Sequence, residues 1–134
     1  MIILNLDNTI EIKGYPNELI QCLINIFNNS KDAYEETKQE KPIFIIETLK
    51  EENFVIIKLR DNAGGIPENI ISKIYDPYFT TKHKSQGTGL GLHMTYKLIN
   101  EGIHGKIDAY NIEYVIENKN YKGAEFKIVV ENIE

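Results

Sequence analysis

Gly87-Thr88-Gly89-Leu90-Gly91-Leu92 places a glycine at every second position and runs straight into an apolar stretch of helical period containing Met94, Leu98 and Ile99. Alternate glycines let backbone N–H groups close on a bulky anion without obstruction from Cβ, and a helix start behind them adds partial positive charge. A polyphosphate suits that chemistry, although a glycine-rich turn by itself also serves as plain loop. Upstream, Asn25 and Asn29 stand one helical turn apart. The neutral carbonyl of Asn29 is a hard oxygen ligand that can complete a magnesium shell made otherwise of phosphate oxygens and water. An isolated pair of asparagines is equally at home on a solvated helix face. Asp61 leaves a strand-like run, with Ile66 and Ile70 available to wall a pocket. A carboxylate at the bottom of an apolar pocket only accepts hydrogen bonds, which suits the exocyclic amine of adenine and rejects the carbonyl of guanine. A plain turn aspartate is the alternative.

Short strands and helices must position these groups. Residues 2–6 and 10–13 read as strands, forming a hairpin or two edge strands. Tyr15-Pro16-Asn17 opens a long helix, since the residue before proline prefers extended geometry and proline suits the first turn. Leu19, Leu23, Ile26, Ser30 and Ala33 form one buried stripe at helical period, while Asn25, Asn29 and Asp32 share a different face. Residues 42–49 and 54–59 are strong strand candidates, the second delivering Asp61 at its exit. Pro67 starts a short helix to about Lys73; residues 76–87 lack any period and read as a mobile loop. A helix from about Thr88 to Asn100 follows, then strands near 105–116 and 123–130 joined by a polar turn over 117–123. This order predicts an α+β fold, a two-layer α/β sandwich with one mixed, mostly antiparallel sheet and helices on one face.

At 134 residues, the chain falls at the commonest single-domain size, so residues 1–134 are expected to form one domain. A net charge of −5 argues against broad binding to nucleic acid or an anionic membrane, partners that demand a basic face. Cys22, the single cysteine, cannot form an internal disulfide, which favours a reducing compartment, the cytoplasm. Its helical setting makes it a structural thiol rather than a nucleophile. No run approaches the ~20 apolar residues that span a bilayer. No direct membrane contact is expected, and any anchor of a parent protein lies elsewhere.

Taken in order, Asn25-Ile26-Phe27-Asn28-Asn29, Asp61-Asn62-Ala63-Gly64-Gly65-Ile66, Tyr75-Asp76-Pro77-Tyr78-Phe79-Thr80-Thr81-Lys82 and the glycine turn resemble the N, G1, F and G2 boxes of the histidine kinase ATP-binding domain. The resemblance runs from about Glu18 to Val130 and is nearest to kinases of the nitrogen-regulatory type. It implies the Bergerat ATP-binding fold, shared with type II topoisomerase, heat-shock chaperone and mismatch-repair ATPases. It implies ATP and Mg2+ as ligands: Asn29 on the metal, Asn25 facing the same cavity, Asp61 on the adenine amine, and Gly65 as the second glycine of the G1 pattern. Residues 76–87 then match the F box and ATP lid, with Tyr78 and Phe79 as aromatic latch, Thr80 and Thr81 as hydroxyl donors, and Lys82 and Lys84 near the phosphates. For Tyr75, Tyr78 and Phe79, ordinary core packing is the other reading. The implied activity is transfer of the γ-phosphate to a histidine on a separate dimerisation and acceptor domain of the same parent protein, and indirectly to a response regulator. Neither His83, His93 nor His104 is followed by the acidic residue, arginine and proline of the family's acceptor helix. The acceptor is therefore expected before Met1.

Asn25 separates the kinase match from its hydrolytic relatives, and three departures qualify that match. Hydrolytic branches of the superfamily carry a glutamate as general base where this chain has Asn25, and an amide cannot accept a proton. Slow net hydrolysis and transfer to an external nucleophile are expected. Many kinase N boxes place a cation where Asp32 stands, and Lys31 points about 100° away on a helix. Ala63 replaces the first glycine of the G1 pattern, which strains any torsion reserved for glycine. Gly123-Ala124 replaces a Gly-Thr pair whose hydroxyl supports adenine. Two other functions stay open: an ATP hydrolase of the same fold, and a non-catalytic nucleotide-gated binding module.

Overall fold

The computed structural model describes residues 1–7, 9–10, 16–38, 40–77, 79 and 91–131. Five strands and two helices follow in the order β1 (Ile2–Asn5), α1 (Pro16–Thr37), β2 (Phe44–Glu51), β3 (Phe54–Asp61), a 3-10 turn (Ile71–Lys73), α2 (Gly91–Lys97) with a π-helical turn (Leu98–Gly102), β4 (Lys106–Ile116) and β5 (Lys119–Glu131). The strands form one sheet in the order β1-β2-β3-β5-β4. β1 pairs parallel with β2; the other three pairings are antiparallel.

Period-2 alternation gives the sheet one face packed on the helices and a reverse face that is more polar but keeps Ile45 and Ile56 buried. Phe44, Val55, Ile57, Leu59, Ala124, Phe126, Ile128, Val130 and Ile107 fall on the same side by register and pack with Cys22 and Ile26 of α1 and Ile99 of the π turn into one core. Phe27 of α1 meets Phe44 edge-on at 5.1 Å between ring centroids. On the reverse face a cross-strand row runs Glu47, Lys58, Lys127, Asp108, and Arg60 Nε reaches Glu125 Oε1 at 2.7 Å. Both helices therefore cover one face, as the order of elements predicts.

Several local expectations change. Ile10 lies outside any strand, and residues 11–13 are not among those described; among the described residues β1 is an edge strand paired parallel with β2. On α1 the fully buried positions are Cys22, Ile26 and Ser30, whereas Leu19, Leu23 and Ala33 are only half-buried. The stripe is thus centred one position away from the apolar residues alone, because α2 also covers the Cys22 side. The turn expected over 117–123 shrinks to Glu117 and Asn118, both at positive φ (50° and 65°), and Lys119 already pairs with Ile116. Two consecutive positive φ values make the tight hairpin whose twist matches its strands. Pro67–Ile70 forms a turn ahead of the 3-10 segment instead of a helix reaching Lys73. The helix expected to reach Asn100 widens into the π turn after Lys97 and ends where Ile103 N–H donates to Leu98 O and Gly105 N–H to Ile99 O.

Candidate functional site

Asp61 is the last residue of β3 and is 4 % exposed. Its carboxylate is held from three sides. Oδ1 accepts the backbone N–H groups of Ala63 at 3.1 Å and Ala124 at 3.0 Å, and Oδ2 accepts the hydroxyl of Ser30 at 3.0 Å. Its own carbonyl accepts the Tyr114 hydroxyl at 2.8 Å. Burial, helped by the Asp61 charge, pushes the Tyr114 phenol up to about 12, so it stays a donor. A Cβ on Gly123 would lie 1.8 Å from Asp61 O and 2.8 Å from Oδ1, so β5 approaches this closely only because residue 123 has no side chain. Beyond β3, Gly64 and Gly65 take φ of +96° and +94°, and Ala63 is not among the residues of positive φ. Glycine's conformational freedom is thus used at 64 and 65, and alanine at 63 carries no strain.

The loop that follows is clasped by one side chain. Asn111 of β4 accepts from Ile66 N–H at 2.6 Å and donates to Ile66 O at 2.7 Å and Glu68 Oε1 at 3.1 Å. A Cβ at Gly65 would sit 2.8 Å from Asn111 Oδ1. Ile66 is thereby pinned beside the core, with Ile70 half-buried after it.

Asn25 does something the sequence does not predict. Its amide nitrogen donates to Thr95 Oγ1 at 3.1 Å and Gly91 O at 3.4 Å, and its oxygen accepts from Gln21 at 3.1 Å. Thr95 is fully buried and its hydroxyl also bonds Gly91 O at 2.9 Å. Rather than simply facing a cavity, Asn25 ties α1 to the first turn of α2, directly behind the glycine turn. Asn29 follows one turn later, half-buried. His93 Nδ1–H donates to Tyr75 O at 3.0 Å, tying α2 to the segment after the 3-10 turn. Tyr75 and Phe79 pack against the core, as does Leu92. The exposed His104 takes φ of 59° at the end of the π turn, a capping position.

Asn25, Asn29, Asp61, Gly65, Ile66, Ile70, Gly91 and Leu92 thus lie on α1, the β3 exit, the loop behind it and the start of α2, and Phe79 lies beyond the 3-10 turn. Tyr78, Thr80, Thr81, Lys82, Gly87, Thr88, Gly89 and Leu90 lie outside the described residues, as does the loop expected to close over a ligand apart from residues 76, 77 and 79. Asn111, Tyr114 and Thr95 carry no role in the sequence reading, Gly123 enters it only as the glycine before Ala124, and Ser30 only as core. A glycine inside the 13-residue β5 and an asparagine on the core side of β4 were the available signals.

Residues 14–132 match the family described as histidine kinase-, DNA gyrase B-, and HSP90-like ATPase. Sporulation kinase A of Bacillus subtilis (strain 168) is 36% identical over 121 residues, 90% of this chain and 18% of that protein. Sporulation kinase E of the same organism is 33% identical over 115 residues, 86% of this chain and 14% of its own length. The chain therefore spans less than a fifth of these relatives. The nucleotide-free catalytic domain of histidine kinase ThkA superposes with a TM-score of 0.75 at 28% identity, over 98% of this chain and 78% of that one. A mycobacterial sensor histidine kinase, MprB, shares the fold at TM-score 0.79 and 13% identity. The chain belongs to the histidine kinase-, DNA gyrase B-, and HSP90-like ATPase family and is an ATP-binding catalytic domain of the histidine kinase kind.

Proposed function

We propose that the domain binds Mg-ATP between α1, the β3 exit and the start of α2, and passes the γ-phosphate to a histidine on a separate acceptor domain of its parent protein. The observation that carries this reading is Asp61, a buried carboxylate fixed by three protein donors with acceptor capacity remaining on Oδ2. One adenine amine N–H fills that capacity, whereas a guanine carbonyl meets a second acceptor there. In this reading Gly65, Ile66 and Ile70 wall the base, and Gly87 to Leu92, Thr80, Thr81 and Lys82 are the residues assigned to the phosphates. Asn29 would hold a magnesium ion, whose charge offsets that of the phosphates. Asn25 offers no proton acceptor for water, because its side chain is an amide already engaged with Gln21, Gly91 and Thr95. That favours transfer over hydrolysis. Among the described residues no helix is long and apolar enough to cross a membrane; we place the domain in the cytoplasm, where ATP and a response regulator would meet the parent kinase.

Calorimetric titration with Mg-ATP and Mg-GTP tests the base assignment. ATP should bind and GTP should not compete, and Asp61→Asn should cost about 1–3 kcal/mol of binding for one unpaired buried partner. Equal affinities for ATP and GTP would contradict it.

A further inference from the structure

We infer that Ser30 is a specificity-determining positioning residue for the adenine amine, acting through Asp61; this rests on the nucleotide reading above and deepens it. Ser30 lies on the core side of α1, 3 % exposed, and donates its hydroxyl to Asp61 Oδ2 at 3.0 Å. Each carboxylate oxygen offers about two acceptor directions. On Oδ1 both are taken, by the N–H groups of Ala63 and Ala124. On Oδ2 the serine takes one and leaves one. The carboxylate therefore presents a single open direction, and the residue that selects it sits on the helix rather than on the strands.

The surroundings make the serine hydroxyl hard to replace. Ala124 contributes its backbone N–H but no side-chain hydroxyl, and Tyr114 reaches only the Asp61 backbone carbonyl, so among the described residues the hydroxyl on the Asp61 carboxylate comes from α1. A hydroxyl donating to a carboxylate is a charge-assisted bond, stronger than one between neutral groups. Without it, Oδ2 has two open directions, and its remaining lone pair is no longer aimed by the protein. Ser30 thus restricts how a donor can approach, which is the step that separates a purine carrying a 6-amine from one lacking it.

The test compares ATP with purine riboside triphosphate, which carries hydrogen in place of the amine, by calorimetry with magnesium on the unsubstituted chain, Ser30→Ala and Ser30→Thr. The unsubstituted chain should prefer ATP. Ser30→Ala should lose about five- to tenfold in ATP affinity, the size of one ordinary hydrogen bond, while its affinity for the amine-free triphosphate stays unchanged. Ser30→Thr, which keeps the hydroxyl, should retain the preference. Alanine is the best helix former, so this helix tolerates it. Equal losses for both ligands in Ser30→Ala would make Ser30 a purely structural residue and overturn the inference. So would an unreduced preference in Ser30→Ala. A lack of preference in the unsubstituted chain would instead overturn the adenine assignment itself, and the inference with it.

Discussion

Asp61 concentrates the chemistry of the site because four segments converge on it: α1 through Ser30, the following loop through Ala63, β5 through Ala124, and β4 through Tyr114. Gly123 is what permits this. With a Cβ 1.8 Å from Asp61 O, backbone must move rather than a flexible side chain. Gly123→Ala should therefore destabilise the domain by about 3 kcal/mol or more, at or beyond the usual range for overpacking, and abolish nucleotide binding; chemical denaturation and calorimetry measure both. Full retention of stability would mean that β3 and β5 can part at little cost. Asp61 was legible in the sequence as a carboxylate leaving a strand before glycines. Gly123 was legible only as half of the Gly123-Ala124 pair; its close approach to Asp61 was not, because it depends on β5 lying beside β3, and pairing across more than sixty positions leaves no local trace. Asn111 escaped for the same reason.

Among the elements, the contact of α1 with α2 joins Asn25, one turn before Asn29, to Gly91 and Thr95 at the start of α2. Asn25 and Thr95 form its polar centre, with Cys22 Sγ 3.9 Å from Thr95 O. Thr95→Val keeps the shape but removes the hydroxyl that Asn25 uses. Thermal unfolding should show a loss of about 1–3 kcal/mol for the buried partner left short. Because α2 follows the glycine turn, ATP affinity should fall more than adenosine affinity, and Thr95→Ser should recover both. Equal losses for ATP and adenosine would reduce the pair to ordinary packing. The elements themselves were largely legible: α1 from its period and Pro16, β2 and β3 from their β-branched runs. The parallel pairing of β1, the two-residue hairpin and the π turn were not. Each depends on tertiary closure, and Glu117 and Asn118 carry no glycine to mark the positive φ they adopt.

For the molecule as a whole, titratable groups that the fold buries make high pH a threat to stability. Burial pushes the Cys22 thiol up from an ordinary 9.0 to about 11, and burial with the Asp61 charge pushes Tyr114 from 10.0 to about 12. Both groups are held neutral by the fold. A raised folded pKa contributes stability that is complete below the unfolded value and is lost as pH rises through the folded one. Denaturation midpoints should accordingly begin to fall above about pH 9 and drop most steeply toward 11, and Cys22→Ala should flatten the first part of that fall. An unchanged profile in Cys22→Ala would place the alkaline sensitivity elsewhere. On the proposal above, this domain holds the nucleotide and donates its phosphate to another. Incubation with γ-labelled ATP and magnesium, alone and with the acceptor domain of its parent, tests it most directly. Acid-labile label should appear on the acceptor domain only, with slow release of phosphate. Label retained on this chain alone, or rapid hydrolysis lost on Asn25→Ala, would contradict the account.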